Sequence, residues 1–439
     1  MSGMQRVSII LLFVITTLVP VGSVAQDHSS RMAPNPDEDG VLGAHRSRNL
    51  GADREAPGIG MLLIQRIDIV NRMIDQNGFR SALTELQELA NYPRLSEFET
   101  AVINLLTGYV YAQTEEYDLA INHYTSALES EVLPTPTHQG ALYSLAHLYA
   151  STQKYEKAIE IMLDWLQFEP DPFAEAYMFM GSNIAALEDY AGALPWMERA
   201  IEKSERPIES WYQITYTLHI ELEQYDKAVP MLKSMIGYWP RISEYWKALA
   251  GLYQELGDER GTYDTTMTAY INGMLTHEQD ILSLVDMTLI HDTPFAAGTI
   301  LENEMIAGVV EEREATLSAL IDVWIAAREY EKAIAALEKA ADVSDPAFHY
   351  MRAAQLHVQS GNFEGAAHSA EKALGAGVDD RVNALVIAGS AYSELGDWDR
   401  SIAAFRQVAE IGDDDERDNA ENWIRFVEES RQLTLSSLP

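Results

Sequence analysis

The chain of 439 residues is predicted to be all-α, a right-handed superhelical solenoid of about nine to ten stacked helix pairs closed by a C-terminal capping helix. Three observations predict it. An aromatic residue stands three places before a small one at Phe79/Ala82, Tyr117/Ala120, Tyr155/Ala158, Tyr190/Ala193, Tyr225/Ala228, Tyr330/Ala333, Phe363/Ala366 and Trp398/Ser401. The small residues lie 38, 38, 35 and 35 places apart and then, beyond two weaker units at Thr262 and Ala297, 33 and 35. From about residue 62 the apolar residues fall at helical spacing and continue to do so. One elongated array can reach this length because each unit packs only on its neighbours.

The elements follow in order. Arg6 precedes an apolar run from Val7 to Val21, and Ser23-Val24-Ala25 supplies the small residues read by a signal peptidase. Residues 1–25 are therefore expected to be a secretory signal cleaved after Ala25. An uncleaved membrane anchor is the alternative, and a run of roughly 15 residues is short of the roughly 20 that span a bilayer. Residues 26–60, with Pro34, Pro36, Pro57, several glycines and no apolar period, read as a flexible tether.

Residues 62–410 carry the repeats. In the unit from Ala101 to Ser130, Gly108 and Tyr111, then Ala120, Tyr124 and Ala127, fall at spacings of three, four and seven on one face of each of two helices. The segment 113–117 is the polar turn between them. Gly108 is expected where the two helices cross, and Ala120 and Ala127 where the second helix meets its neighbours, because native packing density needs bulky side chains alternated with small ones. Trp165 stands where alanine is usual, so wider local packing is expected. Glu259 and Thr262 replace the aromatic and the alanine, and residues 291–294 (His-Asp-Thr-Pro) make an atypical turn before Ala297; both units are expected to be distorted. Residues 415–432 read as a solitary helix with Trp423, Ile424, Phe426 and Val427 on or near one side, the cap that a solenoid needs.

Composition excludes several functions. There is no cysteine, which rules out disulfides, thiolate metal sites and a cysteine nucleophile. The net charge is −37, a field that repels nucleic acid and anionic lipid and favours cationic partners, while also serving the solubility of a long array. His277-Glu278 opens like a zinc-peptidase motif, but Ile281 stands where the second histidine is required. His219 and His357 occupy places held elsewhere by Tyr111, Tyr149 or Tyr253, so both are expected inside the array. No glycine-rich phosphate loop and no G-x-S-x-G elbow occurs. The acids Asp413 to Glu416 lack the alternating ligands of a calcium loop and read as a turn into the cap. No catalytic residue, metal site or cofactor is expected.

The units resemble tetratricopeptide repeats. The pattern is read in Leu142, Leu145, Ala146, Tyr149, Tyr155, Ala158 and Pro170, and again in Tyr177, Gly181, Tyr190, Ala193 and Ala200. It continues through Trp246, Leu249, Tyr253 and Ala269, through Leu317, Leu320, Trp324, Tyr330 and Ala333, and ends at Gly389, Tyr392, Trp398 and Phe405. The resemblance implies a protein-binding scaffold whose first helices line a concave face. By phase, that face should present Leu105, Tyr109, Tyr143, His147, Met178 and Ser182 in the first half. In the second half it should present Gln213, Thr217, Lys247, Gln254, Asp286, Asp322, Met351 and Gln355. Aromatics and methionine suit peptide contacts, with ordinary inter-helix packing the alternative for Tyr109, Tyr143 and Met178. Lys247 is the only Lys, Arg or Asn among these positions, which argues against a clamp for a C-terminal carboxylate and for a partner with basic or Pro-rich extended segments.

A narrower similarity lies in the order of a signal, a tether, an opening pair at 67–89, the segment 193–195 (Ala-Leu-Pro), Glu244-Tyr245-Trp246, the segment 252–258, the segment 293–297 and the Trp423-Ile424 cap. It is similar to the periplasmic tetratricopeptide component of TonB systems in Gram-negative bacteria. That similarity implies an adaptor for TonB, ExbB and ExbD without a membrane span after signal cleavage. An adaptor of cell-envelope or outer-membrane assembly, or a substrate-recruiting subunit of an envelope enzyme, stays open.

Overall fold

A Cβ placed on Gly108 would lie 2.8 Å from the Tyr124 ring and 3.2 Å from the carbonyl oxygen of Ala120. Only a glycine lets these two helices approach as closely as they do. At Gly181 the added carbon would stand 2.6 Å from the Met197 side chain, and at Gly389 3.0 Å from the Phe405 ring. Each glycine sits opposite a large side chain of its own pair, so the small-and-large alternation of the sequence is the packing rule of the fold.

The computed structural model describes residues 58–436. The expected signal at 1–25 and nearly all of the expected tether at 26–60 lie outside the described residues. Among those described, the protein is helical throughout, with ten antiparallel pairs and one further helix. They fall into two units, each taken by itself. The first holds α1 (Met61–Asp75), α2 (Phe79–Ala90), α3 (Glu97–Gln113), α4 (Tyr117–Glu129), α5 (Thr135–Ser151), α6 (Tyr155–Leu166), α7 (Ala174–Ala186) and α8 (Tyr190–Lys203).

The second unit begins with α9 (Glu209–Glu221), α10 (Tyr225–Tyr238), α11 (Ser243–Glu255), α12 (Glu259–Ile271), α13 (Glu278–Ile290) and α14 (Pro294–Ile306). It continues with α15 (Glu314–Ala326), α16 (Tyr330–Val343), α17 (Pro346–Gln359), α18 (Phe363–Ala376), α19 (Arg381–Glu394), α20 (Trp398–Ile411) and α21 (Asp414–Ser436). The aromatic of each signature pair opens the second helix of its unit, and the small residue three places on is fully buried, as at Ala82, Ala120, Ala158, Ala228 and Ala366.

The turn inside a pair is the same device ten times. One residue takes a left-handed conformation at Asn77, Glu115, Gln153, Glu188, Glu223, Gly257, Asp292, Arg328, Gly361 and Gly396. At nine of the ten, the turn at Glu188 excepted, the next amide then reaches back to the first helix, as Glu116 does to the carbonyl of Tyr111 at 2.9 Å, Lys154 to Tyr149 at 2.9 Å and Asp397 to Tyr392 at 2.9 Å. These bonds satisfy carbonyls that the end of a helix leaves open. Asp189, Asp258, Asn362 and Asp397 then cap the second helix by accepting from the amide three residues on.

The two units expected to be distorted are regular. Pro294 fills the first helical position of α14, where its missing N–H costs no bond. Thr262 is buried in the alanine place, and its hydroxyl is satisfied by the carbonyl of Asp258 at 3.0 Å. The lost aromatics are replaced by aliphatic burial: Ile281, Leu284, Val285, Leu301, Leu317 and Ile321 belong to a core that runs from α12 to α17. Hydrophobic burial is non-directional, so the signature can decay where neighbouring volume compensates. Trp165 is buried as well, in a cluster with Leu142, Met162 and Met180.

Candidate partner-binding surface

The positions mapped to the first helices separate by burial. In the first unit Tyr143 and His147, one turn apart on α5, are built into an aromatic cluster. The Tyr143 ring lies 4.5 Å from His147, 5.3 Å from Trp165 and 5.7 Å from Phe173, and the His147 ring lies 4.2 Å from Phe179. Desolvation pushes the Tyr143 hydroxyl up to about 12 and holds the His147 imidazole down at about 4. His147 Nε2 is buried without a hydrogen-bond partner, so this ring is neutral at neutral pH. Leu105 and Tyr109 on α3 and Ser182 on α7 are partly buried.

Met351 is expected to be presented to a partner, and the structure corrects this; for Met178 the alternative of inter-helix packing is the one the structure has. Met178 is 6% exposed and Met351 7%. Met351 is packed against Ala373 and Ala384, whose small side chains leave the space that its flexible thioether fills. Neither side chain is available to a partner without rearrangement.

The second unit keeps its mapped polar residues outward. Gln213, Lys247, Gln254, Asp286, Asp322 and Gln355 are exposed, and Thr217 is partly so. Several join successive first helices. Gln213 donates to the Tyr245 hydroxyl at 2.7 Å, and Tyr245 donates to Glu209 at 2.6 Å, which ties α9 to α11. Lys247 pairs with Asp280 at 2.7 Å, from α11 to α13. Glu278 of α13 is paired with Arg313, which holds its carboxyl below the usual range. Arg352 of α17 meets Asp322 of α15 at 3.2 Å.

This row is polar, and its cations are engaged. Lys247 is held by Asp280. Sequence mapping missed Arg352, Tyr245 and Asp280 on these helices, and Phe173 at the exposed edge of the aromatic cluster. The missed signal was opposite charge about one repeat apart, 35 residues for Glu278 and Arg313 and 30 for Asp322 and Arg352.

His219 is buried, as expected, with Nδ1 3.0 Å from Gln224, and His357 is half-buried against Gly365 of the paired helix. Among the described residues no three His, Asp or Glu side chains converge to hold a metal ion, and no helix is long and apolar enough to cross a membrane. The acids at the start of α21 are a cap: Asp413 and Glu416 exchange backbone-to-carboxylate bonds at 2.8 and 2.9 Å.

The family model of the tetratricopeptide repeat matches residues 105–175 and 351–416, so tetratricopeptide repeats stand at both places. Over 125 residues the chain is 27% identical to a Drosophila melanogaster protein named BBSome complex member BBS4 homolog; the match takes in 28% of this chain and 24% of that one. The chain thus spans about a quarter of the length of the curated relative it matches. A tetratricopeptide repeat protein from Parabacteroides merdae is 16% identical with a TM-score of 0.36, over 61% of this chain and 100% of that one. MamA from Desulfovibrio magneticus is 16% identical with a TM-score of 0.36, over 42% and 98%. YrrB, described as having an unusual peptide-binding site, is 16% identical with a TM-score of 0.33, over 38% and 84%. Likenesses this remote say nothing about partners.

Proposed function

We propose that this protein is a non-catalytic scaffold that holds protein partners on the first-helix face of its repeats. We further propose that, exported to the periplasm of a Gram-negative cell, it serves as an adaptor of an outer-membrane transport system of the TonB, ExbB and ExbD type. The observation that carries the scaffold reading is the exposed row of Gln213, Lys247, Gln254, Asp286, Asp322 and Gln355, set between buried framework positions in consecutive pairs. A row of hydrogen-bonding groups at the pitch of the repeat suits an extended segment, whose affinity comes from many modest contacts. The net charge of −37 favours a cationic one. The adaptor role and the location rest on the order of sequence features and the signal-like residues 1–25.

The test is affinity capture from the envelope fraction with tagged residues 26–439 as bait. TonB, ExbB or ExbD should be enriched, and their absence among specific partners would overturn the adaptor reading. Combined replacement of Gln254, Asp286 and Gln355 by alanine should weaken capture by roughly tenfold without lowering the melting temperature. Undiminished capture would move the binding face elsewhere.

A further inference from the structure

The helix α21 stands where the first helix of an eleventh pair would stand, and no second helix follows it among the described residues. One stripe is spent on the array: Ala420 and Val427 are buried against α20, with Ile424 partly buried between them. The remaining surface of α21 is largely charged but carries two aromatics. Trp423 is 41% exposed and Phe426 55%, with ring centroids 5.7 Å apart at 89°. Trp423 also stacks on Phe405 of α20, at 5.5 Å with the ring planes 6° apart.

Between α19, α20 and α21 this leaves an open groove of about 370 Å³. It exists because the side chains around it are short: Val382, Asn383 and Val386 on α19, Val408 on α20, and Asn419 and Ala420 on α21. The Phe405 and Trp423 rings line it, and so do the Asp380 and Glu416 carboxylates, contributed by two different helix starts. Each carboxylate spends one oxygen on a cap, Asp380 accepting from the Asn383 amide at 3.0 Å and Glu416 from the Asp413 amide at 2.8 Å. Among the described residues neither is paired with a lysine or arginine.

The surroundings are strongly negative. From Asp413 to Arg431 there are eight acidic residues and three arginines, and the arginines are already engaged. Arg417 holds Asp414 at 2.9 Å, Arg431 holds Asp399 at 2.8 Å, and Arg425 donates to Asn422. A groove with one exposed aromatic wall, Trp423, and unpaired carboxylates, in a field its own cations do not neutralise, suits a side chain with an apolar stem and a positive head.

We propose that this groove docks a cationic segment of a partner protein. One Lys or Arg side chain lies against the exposed Trp423 ring, which Phe405 backs from beneath, with its charge beside Asp380 and Glu416. The inference deepens the scaffold reading, and rests on it for the partner's being a protein. It places a basic contact at the end of the array, away from the row on α9 to α17.

The test uses the chain from residue 26 onward and a labelled, capped peptide of lysines spaced by Gly-Ser pairs, followed by fluorescence anisotropy at about 20 mM salt. The parent should bind the peptide. The combined variant Asp380→Asn and Glu416→Gln removes both charges but keeps both cap acceptors; it should melt like the parent and bind at least about tenfold more weakly. Trp423→Ala should weaken binding to a similar extent; if it unfolds, the first variant decides alone. Glu156→Gln with Glu160→Gln on exposed α6 removes the same charge elsewhere and should change binding by less than about twofold. Equal weakening by that control, or binding unchanged in the Asp380 and Glu416 variant, would overturn the site. A dimer in sedimentation that Trp423→Ala dissolves would assign the groove to a second copy and overturn it as well. Failed envelope capture with intact, groove-dependent peptide binding would remove the adaptor reading and leave this site standing.

Discussion

Gly298 and Gly251 are both helical glycines with opposite reasons for being there. A Cβ at Gly298 would lie 2.7 to 2.9 Å from three atoms of the Trp324 ring. Trp324 is fully buried and carries the Lys332 ammonium 4.1 Å from a ring centroid, so it cannot yield. Gly298→Ala should therefore cost about 1–3 kcal/mol by overpacking. Gly251 on the exposed side of α11 has nothing within 4 Å of an added carbon, and Gly251→Ala should add about 0.5–1 kcal/mol of stability. Urea melts of both variants check the pair, and equal effects would mean that close approach is not what the glycines record. His147 makes a prediction in pH. Its folded imidazole titrates near 4, against an ordinary value of 6.5, so the unfolded chain takes up a proton that the folded one refuses. The stability that follows from a neutral His147 is present above about pH 6.5 and is lost as pH falls towards 4, on the order of 3 kcal/mol at the low end. His147→Phe should flatten the fall in stability between those pH values, and an unchanged slope would place the acid sensitivity elsewhere.

The helix pair is the element whose sequence record is clearest. Tyr111, Tyr149, Tyr253 and Tyr392 each mark the carbonyl to which the turn amide returns, and after Tyr111, Tyr149 and Tyr392 an aromatic six residues later opens the next helix, where Glu259 stands after Tyr253. The left-handed turn residue between them was not legible, because only Gly257, Gly361 and Gly396 announce it, and Asn77, Glu115, Gln153, Glu188, Glu223, Asp292 and Arg328 do not. A non-glycine residue in that conformation costs roughly 1–2 kcal/mol, partly offset by the greater unfolded freedom of glycine. Glu115→Gly or Glu223→Gly should therefore raise the melting temperature slightly, while Gly361→Ala should lower it, readable by scanning calorimetry. A fall with either glycine variant would show that the Glu side chain has a role the backbone does not explain. Surface residues were legible only in part. Phase assigns a side chain to a helix face, but burial also depends on the volume of neighbours in the next pair. Small Ala373 and Ala384 admit Met351, and the cluster of Trp165, Phe173 and Phe179 encloses Tyr143 and His147, whereas Gln254, Asp286 and Gln355 remain outside.

At the scale of the whole chain the balance of 31 basic against 68 acidic residues outweighs any single contact. The ion pairs that link successive repeats, such as Lys154 with Asp118, Lys332 with Glu302 and Lys339 with Glu312, join exposed or half-exposed groups. Pairs of that kind are each worth about 0–1 kcal/mol and weaken as salt rises. The 37 excess negative charges repel one another in the folded state at distances comparable with the screening length, roughly 10 Å at 0.1 M salt. Screening removes more repulsion than attraction, because the carboxylates outnumber the cations available to pair with them. The melting temperature should accordingly rise as sodium chloride increases from about 20 to about 200 mM, while affinity for a basic segment falls over the same range. Calorimetry and peptide titration in one salt series measure both trends. A melting temperature that falls with salt would mean that the inter-repeat ion pairs outweigh the net field. Peptide affinity indifferent to salt would place the binding energy in apolar contacts such as Phe173 or Trp423 rather than in the acidic groups around them.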